Sequence, residues 1–168
     1  PRDPSSAASD VYKRQLRNRL LINPMNKIKI YTDGACKGNP GNGGWGAVII
    51  CNDEVKEIKG YSKNTTNNKM ELLASIMALR TVDGEGDIEI YTDSMYLKNG
   101  ITNWIHNWKK NNWLNSSKKI IKNKELWEEI DKFNNIYNIS WRWVKAHNGD
   151  FYNERADELA NIAIKEMN

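Results

Sequence analysis

The sequence predicts an α/β domain with a five-stranded mixed sheet and helices on both faces, and three observations predict it. Two strand-like strings are almost the same words, Lys27-Ile28-Lys29-Ile30-Tyr31-Thr32-Asp33-Gly34 and Asp87-Ile88-Glu89-Ile90-Tyr91-Thr92-Asp93-Ser94. Between them lies an amphipathic helical stretch long enough for a crossover, so the two strands pair or lie parallel. Two strand-like runs meet at Asn52-Asp53, which reads as a hairpin turn and adds antiparallel strands to the sheet.

Taken in order, a strand fits 27–33, a Gly/Asn/Pro turn fits 34–44, and strands fit 45–52 and 54–62. The helix at about 67–82 carries its apolar stripe in Leu72, Leu73, Ile76, Met77 and Leu79 and closes on the breaker Asp83-Gly84. A strand follows at 87–92, short helices fit 95–100 and 102–110, and a longer helix fits 124–136. The chain finishes with a strand at 139–145 and a helix at 151–166.

A chain of 168 residues suits one domain with a single core. Residues 1–24 lack both a sustained strand period and a capped amphipathic helix and resemble translated cloning sequence, so they read as a disordered or non-native lead to a domain over 25–168. No stretch approaches the ~20 continuous apolar residues of a membrane span, and the lead lacks the apolar core of a secretory signal; a cytoplasmic protein is expected. Cys36 and Cys51 have no metal-type spacing and give no reason to draw a disulfide. Nothing in the sequence points beyond a monomer.

The formal charge is +4 and the isoelectric point about 9.0, but the distribution says more. Residues 94–124 hold seven lysines and no acid, and the lead is also basic, which leaves the rest of the chain net acidic. A basic strip on an acidic body suits a nucleic-acid enzyme with an acidic metal site.

In each repeated string the aspartate shares a face with the tyrosine two positions back, while the isoleucines take the other. As parallel neighbours, Asp33 and Asp93 come side by side, roughly 5 Å apart, at the carboxyl ends of the sheet, where open α/β folds bind ligands. Two ionised carboxylates that close repel each other, so one takes a proton or a cation sits between them. Glu71 shares a helix face with Ser75 and Ala78, whose small side chains let that helix approach the sheet, and Asp157 on the last helix approaches from the other side. Three aspartates and a glutamate are hard oxygen donors that favour Mg²⁺ or Mn²⁺ over zinc. Each has a plainer alternative: Asp33 and Asp93 as turn or cap residues, Glu71 as the partner of Asn68 in a capping box, Asp157 as a solvated helix acid.

The strings Tyr31-Thr32-Asp33-Gly34, Thr65-Thr66-Asn67-Asn68-Lys69-Met70-Glu71-Leu72, Tyr91-Thr92-Asp93-Ser94, Gly100-Ile101-Thr102-Asn103-Trp104 and Asn153-Glu154-Arg155-Ala156-Asp157-Glu158-Leu159-Ala160 resemble type 1 ribonuclease H, in the family's order and spacing over about 27–165. The resemblance implies the ribonuclease H-like fold and an endonuclease that cuts the RNA strand of RNA·DNA hybrids, leaving 5′-phosphate and 3′-hydroxyl ends. It puts metal ligands on Asp33, Glu71, Asp93 and Asp157, holding two Mg²⁺ ions in the reactive complex with Mn²⁺ as a possible substitute. His147 matches the family's mobile catalytic histidine, and an imidazole can take up and release protons near neutrality.

The resemblance also implies contacts to the substrate. Cys36, Asn39, Asn67, Asn68 and Met95 follow the RNA strand, whose 2′-hydroxyl distinguishes it from DNA. Tyr96 and Trp104 resemble the groove for the DNA strand, and Thr66 with Asn123 resembles its phosphate pocket, near which Asn64 departs from the family's common basic residue. Lys109, Lys110, Lys118, Lys119 and Lys122 resemble the basic protrusion of bacterial members, which grips phosphates without reading sequence. On the residues alone, Trp108 and Trp113 are expected in the core and His106 on the surface. Integrase-like or junction-resolving nucleases of the same fold are the nearest rival class, followed by a hybrid- or single-strand-binding module, which would need a lost carboxylate.

Overall fold

A computed structural model of the chain describes residues 20–22, 27–84 and 86–167. A short parallel pair joins β1 (Leu20–Ile22) to β5 (Val82–Gly84). The main sheet holds β2 (Lys27–Gly38), β3 (Gly41–Cys51), β4 (Glu54–Thr65), β6 (Asp87–Thr92) and β7 (Asn138–Trp143) in the spatial order β4-β3-β2-β6-β7. Strands β2, β3 and β4 form an antiparallel meander, whereas β6 and β7 add to β2 in parallel, so the expected mixed sheet is present.

The period of two along the strands decides which helix packs where. Ile28, Ile30, Ile88 and Ile90 are fully buried on one face, against Ala78 and Leu79 of α1 (Asn67–Thr81). Tyr31 and Val48 face the other way, onto Ala156 and Leu159 of α5 (Phe151–Lys165). On the α1 side the layer is completed by α2 (Met95–Asn99), α3 (Ile105–Lys110) and α4 (Lys124–Ile136), whose Trp127 and Ile130 are fully buried with Leu72 and Ile76. Thr66 caps α1, accepting from the Lys69 amide, and Asp150 caps α5, accepting from the amides of Tyr152 and Asn153.

Several boundaries differ from the sequence reading. The 34–44 turn is much shorter than expected, because β2 and β3 stay paired from Ile28↔Cys51 out to Gly38↔Gly41. Glycines weaken an isolated strand, but here they admit a helix: a Cβ on Gly44 or Gly46 would lie 2.1 or 2.4 Å from the carbonyl oxygens of Ala160 and Ala156. The first helix stops at Thr81 because the chain turns extended into β5. The helices expected at 95–100 and 102–110 are one continuous rod, α2 and α3 joined by a π-helical turn over Gly100–Trp104. Gly100 sits in that turn against the Trp127 ring, which a Cβ would meet at 2.0 Å. Glu71 belongs to no capping box, since Thr66 is the cap and Glu71 is buried. Of the lead, residues 1–19 and 23–24 lie outside the described residues, and Leu20–Ile22 form β1. No helix among the described residues is long and apolar enough to cross a membrane.

Candidate active site

The parallel ladder runs from Lys27↔Asp87 to Tyr31↔Tyr91, so two strings of equal length deliver Asp33 and Asp93 at the same level. The tyrosines lock that register, their rings stacked at 4.6 Å and 9°. Glu71 descends onto the pair from α1, and Asp33, Glu71 and Asp93 offer oxygens within 4.8 Å of one another. This approach depends on Gly34, whose missing Cβ would lie 2.4 Å from the Glu71 amide nitrogen. Buried Ser75 and Ala78 on the same helix face, with Thr32 Oγ1 3.5 Å from Ser75 Oγ, bear out the close packing expected from the small residues.

The electrostatics of the cluster are unfavourable without a cation. Burial, and then the charges of Asp93 and Asp157, push Asp33 up to about 8, against which the Gly34 amide donates to Oδ1 at 2.8 Å. Glu71 is raised by burial and by Asp33 and Asp93, and its Oε2 is buried without a hydrogen-bond partner. Asp93 is raised by burial, an effect that the neighbouring Asn153 side chain and the nearby His147 charge partly offset. No lysine or arginine pairs with any of the three among the described residues. A divalent cation would relieve all of these at once.

Asp157 stands slightly apart. It is half-buried on α5 and close enough to act on Asp33 by charge and hydrogen bonding, but it is not among the three carboxylates within 4.8 Å. Asn161 fixes it, donating to its carboxylate and carbonyl at 3.0 and 2.9 Å. Arg155 clamps the same helix to β4 through a forked pair with Glu57. His147 is exposed on the turn before α5, with φ 51°, and its charge reaches Asp93.

Six of the residues expected to contact nucleic acid lie together. Asn39, Thr66, Asn68, Tyr96, Lys122 and Asn123 line a common cavity of about 260 Å³, so residues expected along the two nucleic-acid strands share one depression. The Tyr96 hydroxyl accepts from Asn123 at 3.2 Å and from Trp127 at 3.0 Å, and its ring lies 5.7 Å from Trp104. Asn67 and Met95 are exposed, and half-buried Cys36 donates to the Thr65 carbonyl. Lys109, Lys110, Lys118, Lys119 and Lys122 are exposed, and Lys109 is also tied to Asp131 of α4 at 2.9 Å. Trp108 and Trp113 are partly buried against the core and His106 is exposed, as the residues alone suggested.

Sequence reasoning missed two residues. Asn153 is buried beside Asp93, and its i, i+4 relation to Asp157 on one helix face was the available signal. Trp143 donates its indole N–H to the Asp93 carbonyl at 3.2 Å, and only the sheet register reveals that contact.

The cluster sets a pH dependence for the cation-free protein. Asp33 keeps its proton to about 8 when folded and loses it near ~4 when unfolded, so between those values the native state holds the extra proton. Stability therefore falls as pH rises through that window. In EDTA, the melting temperature is expected to drop by about 3–10 °C from pH 5.5 to pH 9, and Asp33→Asn to flatten the drop. Calorimetry across that range checks it.

A family model for RNase H matches residues 25–165. The ribonuclease H of Francisella tularensis subsp. novicida strain U112 is 56% identical over 147 residues, 88% of this chain and 97% of that protein. Its counterpart in Francisella philomiragia is 55% identical over the same share. Among solved structures, LC9-RNase H1, a type 1 RNase H with the type 2 active-site motif, is 29% identical with a TM-score of 0.76, covering 88% of this chain and 76% of that one. LC11-RNase H1 in complex with an RNA/DNA hybrid is 28% identical with a TM-score of 0.61, covering 83% and 98%. With its five-stranded mixed sheet, its strand-end carboxylates and these matches, the chain belongs to the RNase H family.

Proposed function

We propose that this endoribonuclease hydrolyses the RNA strand of RNA·DNA hybrids by two-metal-ion catalysis, leaving 5′-phosphate and 3′-hydroxyl ends. The observation that carries the reading is the convergence of Asp33, Glu71 and Asp93, three hard oxygen donors raised by burial and mutual repulsion. Their chemistry fits Mg²⁺, with Mn²⁺ as a substitute, and Asp157 completes the set as the fourth ligand. Bound there, divalent ions supply an activated water and stabilise charge on the departing oxygen.

The chain's own groups do the rest. Gly34 donates to the Asp33 carboxylate and orients it, and the buried Asn153 side chain lies beside Asp93 and favours its charge. His147, on its exposed turn, assists proton movement or product release. Tyr96 and Trp104 offer the DNA strand an aromatic wall, and Thr66 with Asn123 a phosphate pocket. Asn39, Asn67, Asn68, Cys36 and Met95 border the RNA strand, where a 2′-hydroxyl can be read. Lys110, Lys118, Lys119 and Lys122 hold phosphates, and Lys109 contributes chiefly by fixing the helix that presents them. The reading includes a catalytic domain over 25–168 that acts in the cytoplasm as a monomer, preceded by a non-native lead.

End-labelled hybrid, RNA duplex, DNA duplex and single strands should be incubated with Mg²⁺, Mn²⁺ or EDTA. Internal cutting of only the hybrid's RNA, absent in EDTA, is expected. Cutting of DNA substrates would move the assignment to the other nucleases of this fold, and tight hybrid binding without cutting would make the chain a binding module.

A further inference from the structure

Asp93 lies one residue beyond β6, past the last rung of the ladder at Thr92↔Trp143. A residue there has no regular pairing, yet three contacts hold its main chain and its neighbours. The Val144 amide donates to the Thr92 carbonyl at 2.9 Å, the Ser94 amide donates to Thr92 Oγ1 at 3.1 Å, and the Trp143 indole donates to the Asp93 carbonyl at 3.2 Å. Only the last grips Asp93 itself, and it comes from a side chain that is 44% exposed. Such a ring would turn freely, but the Lys98 ammonium sits 5.1 Å over its centroid. Lys98 belongs to α2, which Ser94 caps immediately after Asp93, so strand end, indole and helix close a small ring of contacts around this residue.

We propose that Trp143 is a positioning residue: its indole N–H fixes the Asp93 backbone, and Lys98 fixes the indole, so that the Asp93 carboxylate is already aimed when a divalent cation arrives. This rests on the reading of Asp33, Glu71 and Asp93 as the cation site. Preorganisation of a ligand acts on cation affinity rather than on substrate affinity.

The test is Trp143→Phe, which keeps an aromatic ring under Lys98 and removes the donor. Mn²⁺ binding, followed by electron paramagnetic resonance of the free ion, is expected to weaken about threefold to tenfold, the worth of one hydrogen bond. The Mg²⁺ concentration for half-maximal hydrolysis rises in parallel, while KM for hybrid at saturating Mg²⁺ stays within twofold. Lys98→Met, which leaves the hydrogen bond and frees the ring, shifts Mn²⁺ binding about twofold the same way and carries the test should Trp143→Phe fold poorly. Unchanged Mn²⁺ binding in a folded Trp143→Phe protein overturns the proposal, as does a raised KM with normal Mn²⁺ binding, which would make the indole a substrate contact. Equal Mn²⁺ binding by the wild type and Asp93→Asn would instead overturn the cation site, and this inference with it.

Discussion

Asp93→Asn is expected to lower the single-turnover rate on hybrid by on the order of a thousandfold or more, and at the same time to make the cation-free protein melt a few degrees higher at pH 8. The two effects have one origin. The substitution keeps the shape and one acceptor oxygen but removes a charge, and the stabilisation that divalent ions give a developing oxyanion is worth several kcal/mol. Without the cation that same charge repels Asp33 and Glu71, both of which are raised in part by Asp93. Removing it relieves two buried neighbours. Rapid-quench kinetics and calorimetry in EDTA measure the pair. A variant that loses both rate and stability would mean that Asp93 is a structural cap, and one that keeps its rate would sink the assignment of the site.

Gly34→Ala is expected to cost about 3 kcal/mol or more and to abolish activity even below its melting transition. Gly34 is paired with Trp45 in the ladder, so the strand cannot retreat. An added Cβ would stand 2.4 Å from the Glu71 nitrogen and 2.6 Å from the Met70 carbonyl carbon, both backbone atoms of α1. Met70 and Leu72 are fully buried on either side of Glu71, so the helix yields only by moving as a body and taking Glu71 with it. Urea melts of Gly34→Ala beside Gly149→Ala, where nothing lies within 4 Å and only the backbone strain of φ +78° opposes a side chain, separate this clash from backbone strain. A loss under 1 kcal/mol at Gly34 would show that α1 is free to slide.

Much of this arrangement was legible because it is written in local periodicity. The repeated strings ending in Asp33 and Asp93 carry their own register, and the Ser75–Ala78 face announced a helix that comes close to the sheet. The stretch 34–44 misled because glycine signals a turn when only its neighbours in sequence are visible. Gly44 is a strand residue on account of Ala160, more than a hundred positions away. The π-helical turn at Gly100 likewise answers to the Trp127 ring. Asp157 was legible as an acid approaching from the last helix, but how near it comes was not, since the position of that helix depends on long-range packing and on the Arg155–Glu57 fork.

The Lys109–Asp131 bridge has a thermodynamic side. Together with Trp108, 5.5 Å from Trp127 and 6.3 Å from Trp113, it fastens the basic helix to the body of the domain before any nucleic acid arrives. A loose basic arm would surrender its conformational freedom on each encounter with a hybrid and weaken every phosphate contact by that amount. Here the freedom is given up at folding, so on the proposed function Asp131 would help set the entropy of substrate capture.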